Sequence, residues 1–161
     1  MKKKLTSVFW GIYILLGVLG FFVVTYVGSH LLENQLEKSI SSDMYQTAHR
    51  IAKSDLVSHI ITSSDMDEIR NDLSLATGND TIIWIINSNS QLILSTRQDI
   101  SPDHPIDLDG FNPASWGSNY YQIGNFYGYF PETRLSTIAP ITKDMNIKGY
   151  VAVHYLISDI Y

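Results

Sequence analysis

The hydrophobic pattern changes three times along the chain. Residues 5–28, LTSVFWGIYILLGVLGFFVVTYVG, are apolar on every side and carry no charged group. About 20 such residues, rising about 1.5 Å each, cross a hydrocarbon core, so a transmembrane helix is predicted over 5–28. From His30 the pattern becomes periodic. Leu32, Leu36, Ile40, Met44, Thr47 and Ile51 recur every three or four positions, and Glu33, Glu37, Lys38, Asp43 and Arg50 fall mostly off that stripe. No Pro or Gly occurs between Ser29 and Thr77. The spacing predicts one long helix, 30–61, that continues the membrane segment. Its stripe has two readings of equal standing: packing on the chain's own sheet, or pairing with a second copy over a short coiled coil.

A shorter helix is expected over 64–77, with Ser64 or Asp65 as N-cap, Asp67 and Glu68 in the first turn, and Gly78 past its end. Ile69, Leu73 and Ala76 form its inner face. Beyond it the period shortens to two, and a sheet is expected over 81–158. TIIWIINSNSQLILST reads as two strands around a polar turn. DISPDHPIDLDGFNPASWGS, residues 99–118, is a Pro-, Asp- and Gly-rich loop with a helical turn expected near 106–111. YYQIGNFYGYF reads as a strand bent at Gly124 or Gly128, RLSTIAPI as a strand ending near Pro140, and IKGYVAVHYLIS as the last strand. In that last strand Tyr150, Ala152, His154 and Leu156 share one face, and Val151, Val153, Tyr155 and Ile157 the other.

Charge sets the orientation. Lys2, Lys3 and Lys4 precede the apolar run, and Trp10, Tyr13 and Tyr26 lie toward its ends. The positive-inside rule keeps residues 1–4 in the cytoplasm and exports the rest. Val27-Gly28-Ser29 also fits a small-residue cleavage site, so a removed signal peptide is the rival reading, although the run exceeds an ordinary signal core. A prepilin leader fails, because the fifth residue after Gly20 is Thr25 rather than a glutamate.

Composition excludes several classes. With 11 Lys and Arg against 16 Asp and Glu, the net charge is −5, which disfavours a nucleic-acid partner. The chain has no cysteine. His30, His49, His59, His104 and His154 are dispersed, and Asp107-Leu108-Asp109-Gly110 lacks the remaining ligands of a calcium loop. No metal site, cofactor or catalytic residue is expected, and no Gly-x-Ser-x-Gly is present.

The order of elements resembles the extracytoplasmic PAS-like or Cache sensor region of bacterial transmembrane receptors, and most closely that of two-component sensor histidine kinases. TIIWIINSNSQLILST resembles the central hairpin of that fold. LSTIAPITKDMNIKGYVAVHYLISDI resembles its closing hairpin, with Ala-Pro-Ile ending one strand and Gly-Tyr-Val opening the next. The resemblance implies an α+β domain over 29–161 with a five-stranded antiparallel sheet. It implies that this chain is an N-terminal fragment, with a second transmembrane helix and a kinase core beyond Tyr161 and no catalysis of its own. It also implies signal sensing at the cell membrane, a homodimer, a small extracellular ligand, and a cytoplasmic response regulator for the full-length receptor. Chemoreceptors and cyclases share this front end. The alternative is a membrane-anchored exported binding or interaction module without signalling output.

In such sensors the ligand lies on the central sheet under the loop between the second and third strands. Here that loop supplies Arg97, His104, Trp116, Tyr120, Tyr121, Tyr127 and Tyr129, together with Phe126 and Phe130. Arg97 or Arg134 would grip a carboxylate through a forked pair of hydrogen bonds. His154 is either a partly buried, hydrogen-bonded residue or one lining a cleft, with sensing of ligand or protons as the other reading. The rings either wall a pocket or complete a core.

Overall fold

The computed structural model describes residues 2–54, 57, 66–77, 80–117 and 120–157. The chain divides into two compact units, Met1–Ser39 and Ile40–Tyr161. Helix α1, Lys2–Ala52, supplies the described residues of the first and opens the second.

In the first unit α1 is long and apolar enough to cross a membrane, with a mean hydropathy of 2.3 over its most apolar window and none of that window buried in protein. Two of its hydroxyls bond within the helix. The Thr25 hydroxyl donates to Phe21 O at 2.8 Å, and the Ser29 hydroxyl to Thr25 O at 2.9 Å. Such internal bonding is what a low-dielectric solvent demands.

The second unit is an α+β lobe. It contains the last turns of α1, helix α2 (Met66–Thr77), and strands β1 (Thr81–Asn87), β2 (Gln91–Ser95), β3 (Ile106–Asp107), β4 (Tyr121–Gly124), β5 (Arg134–Lys143) and β6 (Asn146–Leu156). The strands form one sheet in the order β3-β2-β1-β6-β5-β4, and every pairing is antiparallel. The sheet therefore has six strands where the sequence predicts five. The extra one is β3, at the edge, where the sequence pattern suggests a helical turn. Two residues suffice because one side-chain bond and one backbone bond pin them: Gln91 Nε2 donates to Asp107 Oδ1 at 2.8 Å, and Leu108 N donates to Ser90 O at 3.0 Å.

Three more expectations are corrected. The long helix ends at Ala52 rather than near 61, because the Ser54 hydroxyl and amide both bond Ile51 O, at 2.7 and 3.0 Å, and so take over that carbonyl near the helix end. The stretch 120–130 is no single strand: β4 stops at Gly124 and a left-handed turn follows. Strand β5 does not end at Pro140 but runs to Lys143. Proline is tolerated there because β4 pairs β5 only from Arg134 to Thr137, so the missing N–H falls on an edge. His59, Ser64, Asp65 and Gly78 lie outside the described residues.

Alternation along the strands builds two cores. One side of the sheet, with Ile83, Ile85, Leu135, Val151 and Val153, packs under Met44, Ala48 and Ile51 of α1 and Ile69 and Leu73 of α2. The helix stripe from Ile40 onward thus serves the lobe's own core, with Ala48 fully buried in place of Thr47, while Leu32 and Leu36 remain exposed. The other side carries Trp84, Ile86, Leu92 and Ala152 beneath a layer of aromatic side chains. Gly149 lets β6 approach β1, since a Cβ there would collide with Ile86 O.

Candidate functional site

The aromatic side of the sheet is built from the strands upward. Trp84 of β1 and His154 of β6 are cross-strand neighbours on one face, and the chain between β2 and β5 folds back over them. Ile100, Leu108, Phe111 and Trp116 come from the first part of that chain, Phe126 and Phe130 from the turn after β4. Asn112 caps the short 3₁₀ turn Pro113–Trp116: its side chain accepts from Ala114 N, and Pro113 occupies a position with no amide to waste.

The turn at 125–130 is under backbone strain. Phe126 and Tyr127 stand at φ 45° and 57°, followed by Gly128 at 86°. Left-handed backbone costs a non-glycine residue about 1–2 kcal/mol, and two aromatic residues accept it in succession. What offsets the cost is side-chain anchoring. The Phe126 ring is buried against Trp84, Phe111, Trp116 and Phe130 at centroid distances of 5.6, 5.9, 6.2 and 6.5 Å. The Tyr127 hydroxyl accepts from Trp116 Nε1 at 2.9 Å and reaches Asn112 O at 3.3 Å. The Tyr129 hydroxyl donates to Asp107 O at 3.0 Å and accepts from Asp109 N. Asn125 closes the turn through Gly128 N to its side chain and Phe130 N to its carbonyl.

His154 lies at the centre and has no exposed surface. Its Nδ1 shares a 2.8 Å hydrogen bond with the Ser136 hydroxyl. Phe126, Trp84 and Phe130 surround the ring at 4.4, 4.8 and 4.8 Å. Burial, and then the positive charge of Arg134, pushes its pKa from 6.5 down to about 3, so the imidazole is neutral at physiological pH. Arg134 lays its guanidinium over Phe130 at 4.7 Å and pairs with Glu132 at 3.5 Å. His154 Nε2, Trp84 Nε1 and Arg134 Nε find no hydrogen-bond partner among the described residues.

Of the residues singled out from sequence, Trp116, Tyr127, Tyr129 and His154 come together in this layer, with Arg134 at its rim. Arg97 and His104 are exposed, and neither side chain shares a hydrogen bond, ion pair or ring contact with the layer. Tyr121 packs against the helix-side core. Tyr120 is exposed, and its ring lies tilted against Tyr45 at 5.7 Å and Tyr121 at 5.3 Å. Sequence reasoning missed Trp84, Phe111, Tyr45 and Tyr150. Trp84 was within reach: it sits two positions from Ile82 and Ile86 in an alternating strand, on the face that His154 occupies across the pair.

Open volume lies beside the rings around His154. A cleft of about 420 Å³ is lined by Tyr45, Trp116, Tyr120, Pro140, Ile147 and Tyr150, with the smaller Pro113, Ala114, Gly117 and Ile138. That volume is in the range of small-ligand sites. Four aromatic walls and two prolines present flat apolar surface, and tyrosine hydroxyls are the main polar side-chain groups. No charged side chain lines the cleft among the described residues, and neither Arg97 nor Arg134 reaches it. The described residues also contain no cluster of His, Asp or Glu able to hold a metal ion.

No family model and no curated protein matches the chain. Among solved structures, the sensory domain of the Campylobacter jejuni chemoreceptor Tlp3 (CcmL) is similar over 86% of this chain and 66% of its own length, with 15% identity and a TM-score of 0.45. A likeness of that size decides neither fold nor function. The chain spans about two thirds of that structure's length.

Proposed function

We propose that the chain is the signal-sensing input region of a bacterial membrane receptor, with a PAS-like or Cache lobe outside the cell and Lys2–Lys4 inside. The observation that carries this reading is the composition of α1. One helix holds both the apolar span and, from Ile40 to Ala52, part of the core under the sheet, so a change in the lobe has a covalent route toward the bilayer. On this reading residues 5–28 are an uncleaved anchor, two chains act together, and a second membrane helix leads to a histidine kinase core that signals to a response regulator. The chain itself contributes binding and movement, not catalysis.

The ligand fits the Tyr45–Trp116–Tyr120–Tyr150 cleft. Its walls select an uncharged, ring-bearing molecule with a hydrogen-bonding group or two, in place of the carboxylate that Arg97 or Arg134 would hold. Such a ligand can bias the receptor only by binding one arrangement of the lobe more tightly than the other. A thermal-shift screen of the full chain in lipid nanodiscs, against a panel of small aromatic and heteroaromatic compounds, tests this. A ligand present at 100 times its Kd stabilises by about 2.7 kcal/mol. The expected hit loses its shift in Tyr150→Ala and Tyr120→Ala and keeps it in Arg97→Ala. A hit that depends on Arg97 and ignores both tyrosines would overturn the cleft assignment.

A further inference from the structure

A second cleft lies at the turn end of the sheet. It encloses about 310 Å³ and is lined by Ile85, Ile93 and Ile141 of the helix-side core, with Ile86, Pro102, Asn87, Ser88 and Lys148. Two irregularities in separate strand pairs meet here. Between β1 and β2, Ile85 pairs with Leu94 and Ile86 with Leu92, which leaves Ile93 as the extra residue of a bulge. Between β5 and β6, Ile141 pairs with Gly149 and Thr142 with Ile147, which leaves Lys148 as the extra residue of another. A bulge re-aims the side chain it carries. The first bulge places Ile93 in the same core as its neighbour Leu94, against strict alternation. The second brings a lysine to the wall of a cleft otherwise floored by isoleucine.

The polar groups divide by availability. Asn87 is occupied: its Nδ2 donates to Gln91 Oε1 at 2.9 Å, and its Oδ1 accepts from Asn89 N and Gln91 N at 2.9 and 3.0 Å. The side chains of Ser88 and Lys148 make no hydrogen bond or ion pair with any described residue, and both are exposed. An ammonium without a carboxylate, beside a hydroxyl donor and above an apolar floor, complements an anion with a short greasy tail.

We infer that this cleft binds a short-chain monocarboxylate, its carboxylate on Lys148 and Ser88 and its alkyl chain on Ile85, Ile93 and Ile141. The site is distinct from the aromatic cleft and does not depend on that cleft's function. The occupant is anionic because the cation is unmatched. It is small because about 310 Å³ stands at the lower end of ligand cavities.

The test uses the full chain in lipid nanodiscs, with isoleucine methyl groups carbon-13 labelled and hexanoate as the probe. Saturable shifts of the Ile93 and Ile141 methyls are expected. Lys148→Gln, a substitution at an exposed position that leaves the fold intact, should weaken the apparent Kd about tenfold or more. Hexan-1-ol, which has the same tail but no charge, should bind weaker by a similar factor. Shifts of equal affinity in wild type and Lys148→Gln would overturn the inference by showing tail partitioning alone. Absence of saturable shifts at these methyls, or shifts confined to residues of the aromatic face, would overturn it as well.

Discussion

Acidification should unfold the lobe through one histidine. His154 is fully buried among three aromatic rings, with Arg134 the nearby cation, and its pKa falls from 6.5 to about 3. The unfolded chain takes up a proton below pH 6.5 that the folded lobe refuses until about pH 3. Stability is therefore complete above pH 6.5, declines as pH falls through the interval, and levels off below about pH 3. At about 1.4 kcal/mol per tenfold difference in proton affinity, the acid limit costs about 5 kcal/mol, and the step from pH 7.5 to pH 5 costs about 2 kcal/mol. The larger figure equals the lower bound of a typical domain's whole stability. Urea melts of the full chain in detergent, followed by the fluorescence of buried Trp84 and Trp116, measure it. Carboxylates also titrate in this range, so the informative quantity is the difference from His154→Asn, which keeps an acceptor near Ser136 and removes the titration. The variant should start less stable and lose about 2 kcal/mol less than wild type between pH 7.5 and 5. Parallel pH profiles for the two proteins would refute the reasoning.

Other consequences follow from particular contacts. Gly149→Ala drives a methyl into the Ile86 carbonyl, and the melt should show a loss of about 1–3 kcal/mol or more. Tyr127→Phe leaves Trp116 Nε1 buried without its acceptor and should cost about 1–3 kcal/mol; an unchanged midpoint would mean that water replaces the hydroxyl. Leu36 is exposed on the stripe that Ile40 and Met44 continue. If two chains pair along it, Leu36→Cys in this cysteine-free protein should oxidise to a disulfide dimer in membranes while Asp43→Cys does not, and equal yields would refute pairing on that face.

The central strands were legible because their apolar runs, rich in β-branched residues, feed the two cores on opposite sides of the sheet. The assignment of Tyr150, Ala152 and His154 to one side and Val151, Val153 and Tyr155 to the other follows from alternation alone, and the structure places them so. The polar turn NSNS likewise marks the β1–β2 hairpin. What escaped the sequence depends on contacts between distant residues. Strand β3 exists because Gln91 and Ser90 receive it, and nothing in Pro-Ile-Asp-Leu announces a strand. The bulges break alternation at Ile93, with no glycine beside it, and at Lys148, where Gly149 is the one local signal. Phe126 and Tyr127 carry strand propensity yet sit in left-handed backbone, because burial and the Trp116–Tyr127 bond outweigh local preference. At the candidate site the wealth of aromatic residues in 116–130 is visible in the sequence, and the structure gathers Trp116, Phe126, Tyr127, Tyr129 and Phe130 in one layer. Which rings fill the core and which border the opening was decided by Tyr45 and Tyr150, far away in sequence.

The most direct test of the membrane-receptor reading is sidedness in intact cells. The chain has no cysteine, and Met145 is fully exposed at the tip of the β5–β6 hairpin, so Met145→Cys offers one thiol on the lobe and Lys3→Cys one on the basic tail. With a membrane-impermeant maleimide, the account predicts that Met145→Cys labels on intact cells, that Lys3→Cys labels only after the membrane is opened, and that both remain on a chain of full length. Labelling of Lys3→Cys from outside, protection of Met145→Cys until lysis, or loss of the first residues from the mature protein would contradict it.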